Sequence, residues 1–131
     1  MTLTILLIED NEQNRYLATF LLEQNGHTVV PALDGPSGIE RARTLVPQLI
    51  LLDIQLPVMN GYDVARALRA IETLRDIPII AVTSHAMVGD REKALAAGCN
   101  GYIEKPINPE TFVAQVASFA RSAPIRARES R

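Results

Sequence analysis

Four places in this sequence set an acidic, hydroxyl or ammonium group directly behind a short apolar run. Thr4–Ile8 is followed by Glu9 and Asp10. Leu49–Asp53 ends in an aspartate. The run at 77–83 ends in Thr83, with Ser84 next, and Gly101–Glu104 is followed by Lys105 and Pro106. If those runs are parallel strands of one sheet, three carboxylates, a hydroxyl and an ammonium converge on one edge. Two like charges ~4 Å apart cost about 4 kcal/mol at an effective dielectric near 20, so such a cluster needs neutralising. Lys105 supplies one positive charge and a hard divalent cation would supply two. Mg2+ suits a site of carboxylate oxygens and water, with Mn2+ as an alternative. The absence of His or Cys from the set argues against zinc. A carboxylate beside a cation can also attack phosphorus to give an aspartyl phosphate. That transfer requires charge neutralisation at the three equatorial oxygens. Asp53, between the Glu9-Asp10 pair and Lys105, is the best placed nucleophile. Glu9 and Asp10 then bind the metal, directly or through water. Thr83 or backbone amides take the phosphoryl oxygen left over by the metal and Lys105.

The elements that must deliver these groups alternate along the chain. Thr4–Ile8, Thr28–Ala32, Leu49–Asp53, 77–83 and Gly101–Glu104 read as strands, the last on the weakest pattern. Ile5 to Ile8 and Leu49 to Leu52 are apolar on both faces, as in a parallel sheet covered on both sides. The segments between read as helices. Asn11 is placed to cap the first, with Leu17, Phe20 and Leu21 as its buried stripe and Gly26 as its stop. Gly35–Leu45, 61–71 and 89–97 are the next three, and Pro109 opens the first turn of a fifth. Five strand–helix alternations predict a doubly wound α/β domain, whose ligands bind beyond the carboxyl ends of the strands.

Together, Glu9-Asp10, Asp53, Thr83 and Lys105-Pro106 resemble the receiver domain of two-component response regulators, over about residues 3–120. Supporting motifs are the run from Asp53 to Pro57, Asn60-Gly61, and the run from Gly98 to Tyr102. The resemblance implies a flavodoxin-like five-stranded sheet in order 2-1-3-4-5. It assigns Asp53 as phosphoacceptor, Asp10 as a direct Mg2+ ligand, Glu9 as an outer one, and the Gln55 carbonyl as the remaining protein ligand. Thr83 is the switch hydroxyl, Lys105 the phosphate-pairing lysine with a cis bond to Pro106, and Tyr102 the aromatic that turns inward. Ser84 and His85 fall at the pocket rim, where the family position of His85, like that of Gln55, influences phosphoryl lifetime. Glu9 departs from the aspartate commoner at its position, an accepted variant that alters metal geometry. A narrower likeness runs to receivers of hybrid kinases and of small single-domain regulators of bacterial division and polarity. The implied partners are a histidine kinase or histidine phosphotransfer domain as donor, docking over the first helix and Pro106-Ile107. A downstream protein target is expected near Met87, Tyr102 and Phe112. The implied activity is signalling, with catalysis confined to the protein's own phosphotransfer and dephosphorylation.

Rival readings fit less well. A haloacid-dehalogenase-type phosphohydrolase carries a second aspartate two residues after the first, where this chain has Gln55. No glycine-rich loop follows the first strand, which excludes P-loop and dinucleotide sites. An unphosphorylated pseudo-receiver is disfavoured because every chemical position holds a competent residue. The 131 residues fit one domain, with 1–121 as receiver and 122–131 as a flexible, Arg-rich tail, so a stand-alone protein is expected. A net charge of −2 and the lack of Trp argue against nucleic acid as partner. No apolar run approaches a membrane span and no signal peptide is evident. The single cysteine fits a cytoplasmic home. A monomer or weak dimer is expected. Cys99 reads as a packing residue, and His27 as a surface turn residue.

Overall fold

The structure is a computed structural model and describes residues 2–84 and 88–121. His85, Met87 and the expected tail at 122–131 lie outside the described residues. Five parallel strands, β1 (Thr4–Ile8), β2 (Thr28–Ala32), β3 (Leu49–Asp53), β4 (Ile79–Thr83) and β5 (Gly101–Glu104), pair in the order β2-β1-β3-β4-β5. The expected doubly wound sheet is therefore present, with its order reversing beside β1 and β3. Helices α1 (Glu12–Gln24), α2 (Gly35–Leu45), α3 (Gly61–Arg69), α4 (Asp90–Ala96) and α5 (Phe112–Arg121) alternate with the strands.

The strand period of two sorts the core into two layers. Leu6, Ile8, Ile50 and Leu52 pack with Val64, Ala65 and Leu68 of α3 and Ala94 of α4. Ile5, Leu7, Leu49 and Leu51 pack on the other face with Leu21 and Leu22 of α1 and Phe112 and Val116 of α5. Both faces of β1 and β3 are thus buried, which is why residues 5–8 and 49–52 are apolar without a break. Side-chain caps start three helices: Asn11 accepts from the Asn14 amide, Asp34 from Ser37 and Asn60 from Asp63.

Several expectations need correction. The buried stripe of α1 is Ala18, Leu21 and Leu22, whereas Phe20 is 50% exposed and stacks with Tyr16 at a centroid distance of 6.3 Å. The 3.6-residue period allowed either stripe, and the small Ala18 lets α1 approach the sheet. β4 begins at Ile79, not at 77. Pro78 has no N–H for the ladder, and the Ile77 amide donates instead to the Leu74 carbonyl at 3.1 Å. α3 ends at Arg69, and a 3-10 turn, Glu72–Leu74, follows. α4 spans Asp90–Ala96 rather than 89–97, with Gly89 as its cap. α5 begins at Phe112. Pro109 lies in the preceding turn, where the Asn108 carbonyl accepts from the Thr111 and Phe112 amides and its side chain accepts from Glu110. His27 is not a surface residue. It is buried, and its Nδ1 accepts from the Leu3 amide at 3.1 Å. Burial, and secondarily the chain's amino terminus, lower its pKa. Cys99 is buried as expected, and burial pushes its thiol up to about 11.

At the amino-terminal end of the sheet, Arg69 joins four segments. Its Nε donates to the Gly98 carbonyl at 2.8 Å, its Nη1 to the Leu74 carbonyl at 3.0 Å, and its Nη2 to Asn100 Oδ1. The same Asn100 oxygen accepts from the Ile79 amide at 2.9 Å.

Candidate phosphoacceptor and metal site

The carboxyl ends of β1, β3, β4 and β5 carry the residues singled out by type. The parallel register sets Asp53 beside Val82 and Thr83 beside Glu104. Carboxylate oxygens of Glu9, Asp10 and Asp53 lie within 4.8 Å of one another. Glu9 and Asp53 are buried, with relative exposures of 4% and 3%, while Asp10 is exposed. The Lys105 Nζ sits 2.9 Å from Glu9 Oε1 and 3.4 Å from Asp53 Oδ1. Among the described residues it is the only side chain ion-paired with either buried carboxylate. Its bond to Pro106 is cis.

The backbone is arranged to support these acids. The Asn11 amide donates to Glu9 Oε2 at 3.1 Å, and the Gln55 amide to Asp53 Oδ1 at 3.0 Å. Arg15, reaching back from α1, donates through Nη1 to the carbonyls of Glu9 at 3.1 Å and Asp10 at 3.4 Å. Even so, Asp53 is pushed up from 3.8 to about 7. Burial is the largest cause, followed by its hydrogen bond to Glu9 and the charge of Glu9; Lys105 and the Gln55 amide act in the opposite direction. Burial and Glu9 thus outweigh the opposing effect of Lys105 on Asp53. The three-carboxylate, all-oxygen donor set fits a hard divalent cation such as Mg2+ and offers nothing to select zinc.

Thr83 is buried at 1% exposure, and its Oγ1 accepts from Gln55 Nε2 at 2.6 Å. Gln55 Oε1 faces the amide and hydroxyl of Ser84 at 3.4 and 3.3 Å. Sequence reasoning gave Gln55 a metal-binding carbonyl and, through the family resemblance, an influence on phosphoryl lifetime, but did not find the side-chain bridge. Arg15 and the Asn11 amide were also missed, since neither contact has a sequence signal beyond the position of α1. Tyr102 lies on β5, half-buried against the layer that holds α3 and α4. Phe112, expected near a docking face, is fully buried and contributes to the core instead.

The loop after β3 is held close by Gly61, whose amide donates to the Ile54 carbonyl at 2.9 Å. A Cβ at Gly61 would sit 2.5 Å from Ile54 Cα and 2.8 Å from the Asp53 carbonyl oxygen, both backbone atoms. Gly61→Ala is expected to cost about 1–3 kcal/mol, as overpacking does, and to weaken Mg2+ binding by displacing the Asp53–Gln55 segment. Urea unfolding with and without Mg2+ measures both effects; unchanged stability and affinity would refute the expectation.

Known proteins resemble this chain in sequence and fold. The response regulator receiver domain family matches residues 5–117. The polar-differentiation response regulator DivK of Brucella ovis is 41% identical over 123 residues, covering 94% of this chain and all of that one. The receiver domain of a sensor histidine kinase from Pseudomonas aeruginosa PAO1 was solved with a magnesium ion coordinated in its active site cleft. It superposes with a TM-score of 0.84 at 36% identity, covering 92% of this chain and 99% of that one. The chemotaxis response regulator CheY4 of Vibrio cholerae superposes with a TM-score of 0.86 at 25% identity, covering 91% and 99%. With the family matched across most of its length and its strand order reproduced, this chain belongs to the response regulator receiver domains of two-component signalling.

Proposed function

We propose that this protein is a phosphorylation switch that accepts a phosphoryl group on Asp53 from a histidine kinase or histidine phosphotransfer domain and passes the signal on by protein contact. The observation that carries this reading is the meeting of Glu9, Asp10 and Asp53 with Lys105 at one sheet edge. An Asp53 carboxylate oxygen bonds to phosphorus while the bond from phosphorus to the donor imidazole breaks. Lys105, already against Asp53, pairs with a phosphoryl oxygen. Asp10, Asp53 and the Gln55 carbonyl would hold Mg2+, or Mn2+ in its place, with Glu9 as an outer ligand. When bound, the ion neutralises charge that Lys105 alone leaves uncompensated. Thr83 is the switch hydroxyl and Tyr102 the aromatic that follows it, so a local charge change alters the face of α4, β5 and α5. The donor docks over α1 and the segment at Pro106-Ile107. Residues 1–121 make up the receiver, acting as a monomer or weak dimer in the cytoplasm. Among the described residues no helix is long and apolar enough to cross a membrane.

Incubation with acetyl phosphate and Mg2+, followed by intact mass spectrometry, tests the reading. The wild type should gain one phosphoryl group, and Asp53→Asn should gain none. Equal labelling of the two proteins would refute Asp53 as acceptor.

A further inference from the structure

The three clustered carboxylates are not held in the same way. Glu9 accepts from the Asn11 amide and pairs with Lys105, while Asp53 accepts from the Gln55 amide and faces the same lysine. Asp10 is exposed, and no described residue bonds to its carboxylate. Its place beside the other two is therefore set by its backbone. That backbone is gripped from α1: Arg15 Nη1 donates to the carbonyl oxygens of Glu9 at 3.1 Å and Asp10 at 3.4 Å. Nη1 carries two protons and so serves both carbonyls. Farther along the same helix, Ala18, Leu21 and Leu22 are buried in the layer that holds Ile5 and Leu7 of β1. The guanidinium thus ties the Glu9-Asp10 turn to a helix fixed on the sheet.

We propose that Arg15 is a positioning residue for the metal, holding the Glu9-Asp10 turn so that the Asp10 carboxylate faces the ion although no side chain orients it. This rests on the reading of Asp10 as a metal ligand. Hydrogen bonds from a charged donor are stronger than neutral ones, which suits a brace at an exposed turn. Arg15 also brings a positive charge, which by itself opposes a cation at the cluster. The two effects differ in sign: losing the charge alone tightens cation binding, whereas losing the brace weakens it.

Mn2+ is the probe, with the free ion counted by electron paramagnetic resonance in wild type, Arg15→Met and Arg15→Lys. Groups that orient metal ligands are worth about 10- to 100-fold in affinity, so Arg15→Met should weaken Mn2+ binding by about 10-fold. Arg15→Lys keeps the charge but replaces the rigid fork with a flexible ammonium. It should bind Mn2+ more weakly than wild type and more tightly than Arg15→Met, and it stands in if Arg15→Met does not fold. Acetyl phosphate labelling across a Mg2+ titration separates positioning from general damage. Arg15→Met should need about 10-fold more Mg2+ for half its maximal rate, yet reach the wild-type rate at saturation. Unchanged or tighter Mn2+ binding in these variants overturns the proposal, as does a rate that stays low at saturating Mg2+. Those outcomes leave Asp53 as the acceptor. Failure of the wild type to bind Mn2+ or Mg2+ at all would overturn the metal reading as well.

Discussion

At pH 8 and without divalent cations, Asp53→Asn should be more stable than the wild type, although it removes the residue at the centre of the site. The buried carboxylate is raised from 3.8 to about 7. About three pKa units at 1.36 kcal/mol each give a gain on the order of 4 kcal/mol. The sign follows from proton uptake. The folded pKa lies above the unfolded one, so between about pH 4 and pH 7 the folded state holds more protons. Stability of the wild type should then fall as pH rises through that window, and the advantage of Asp53→Asn should vanish near pH 4. Mg2+ should stabilise the wild type at pH 8 and stabilise Asp53→Asn far less, since one of the three clustered carboxylates has gone. Urea unfolding at pH 4, 6 and 8 in EDTA or Mg2+ is the measurement. A less stable Asp53→Asn protein at pH 8 would show that burial and Glu9 do not strain Asp53 as described.

Lys105→Met should act in the opposite direction. Lys105 is 11% exposed along its side chain and ion-paired with both Glu9 and Asp53. Breaking a buried pair by removing one partner costs about 3–5 kcal/mol, and that loss is expected in EDTA at pH 8. It should shrink towards pH 6 as Asp53 takes up a proton, and Mg2+ should recover part of it. Because the two residues touch, their effects should not add: Lys105→Met should cost less in an Asp53→Asn background. Phosphoryl uptake from acetyl phosphate should fall sharply in Lys105→Met even where Mg2+ has restored the fold. A variant as stable as wild type at pH 8 would mean that the two carboxylates are neutralised by something other than this ammonium.

The positions of Glu9, Asp10, Asp53, Thr83 and Lys105 were legible because each follows an apolar run, and parallel strands send all their carboxyl ends to one edge. The errors share a different cause. Helical periodicity shows that α1 has an apolar stripe but allows either Phe20 or Ala18 and Leu22 to lie in it; packing against the sheet decides. Phe112 reads the same whether it faces the core or a partner. His27 is polar by type, yet it is buried with its ring nitrogen accepting from the Leu3 amide, a long-range contact that its neighbours in sequence do not announce. The Gln55–Thr83 bond depends on the register of β3 against β4, and no local sequence pattern encodes that register.

The network around Arg69 bears on where movement can occur. It ties the end of α3, the turn after it, and the α4–β5 connection together beneath the sheet, at the end away from the carboxylates. A pocket change at the opposite end thus meets a braced foundation, and β4 and β5 are expected to lean from it rather than slide along their length. Leaning magnifies a small displacement with distance from the pivot, so the exposed rim should travel furthest while the base keeps its hydrogen bonds.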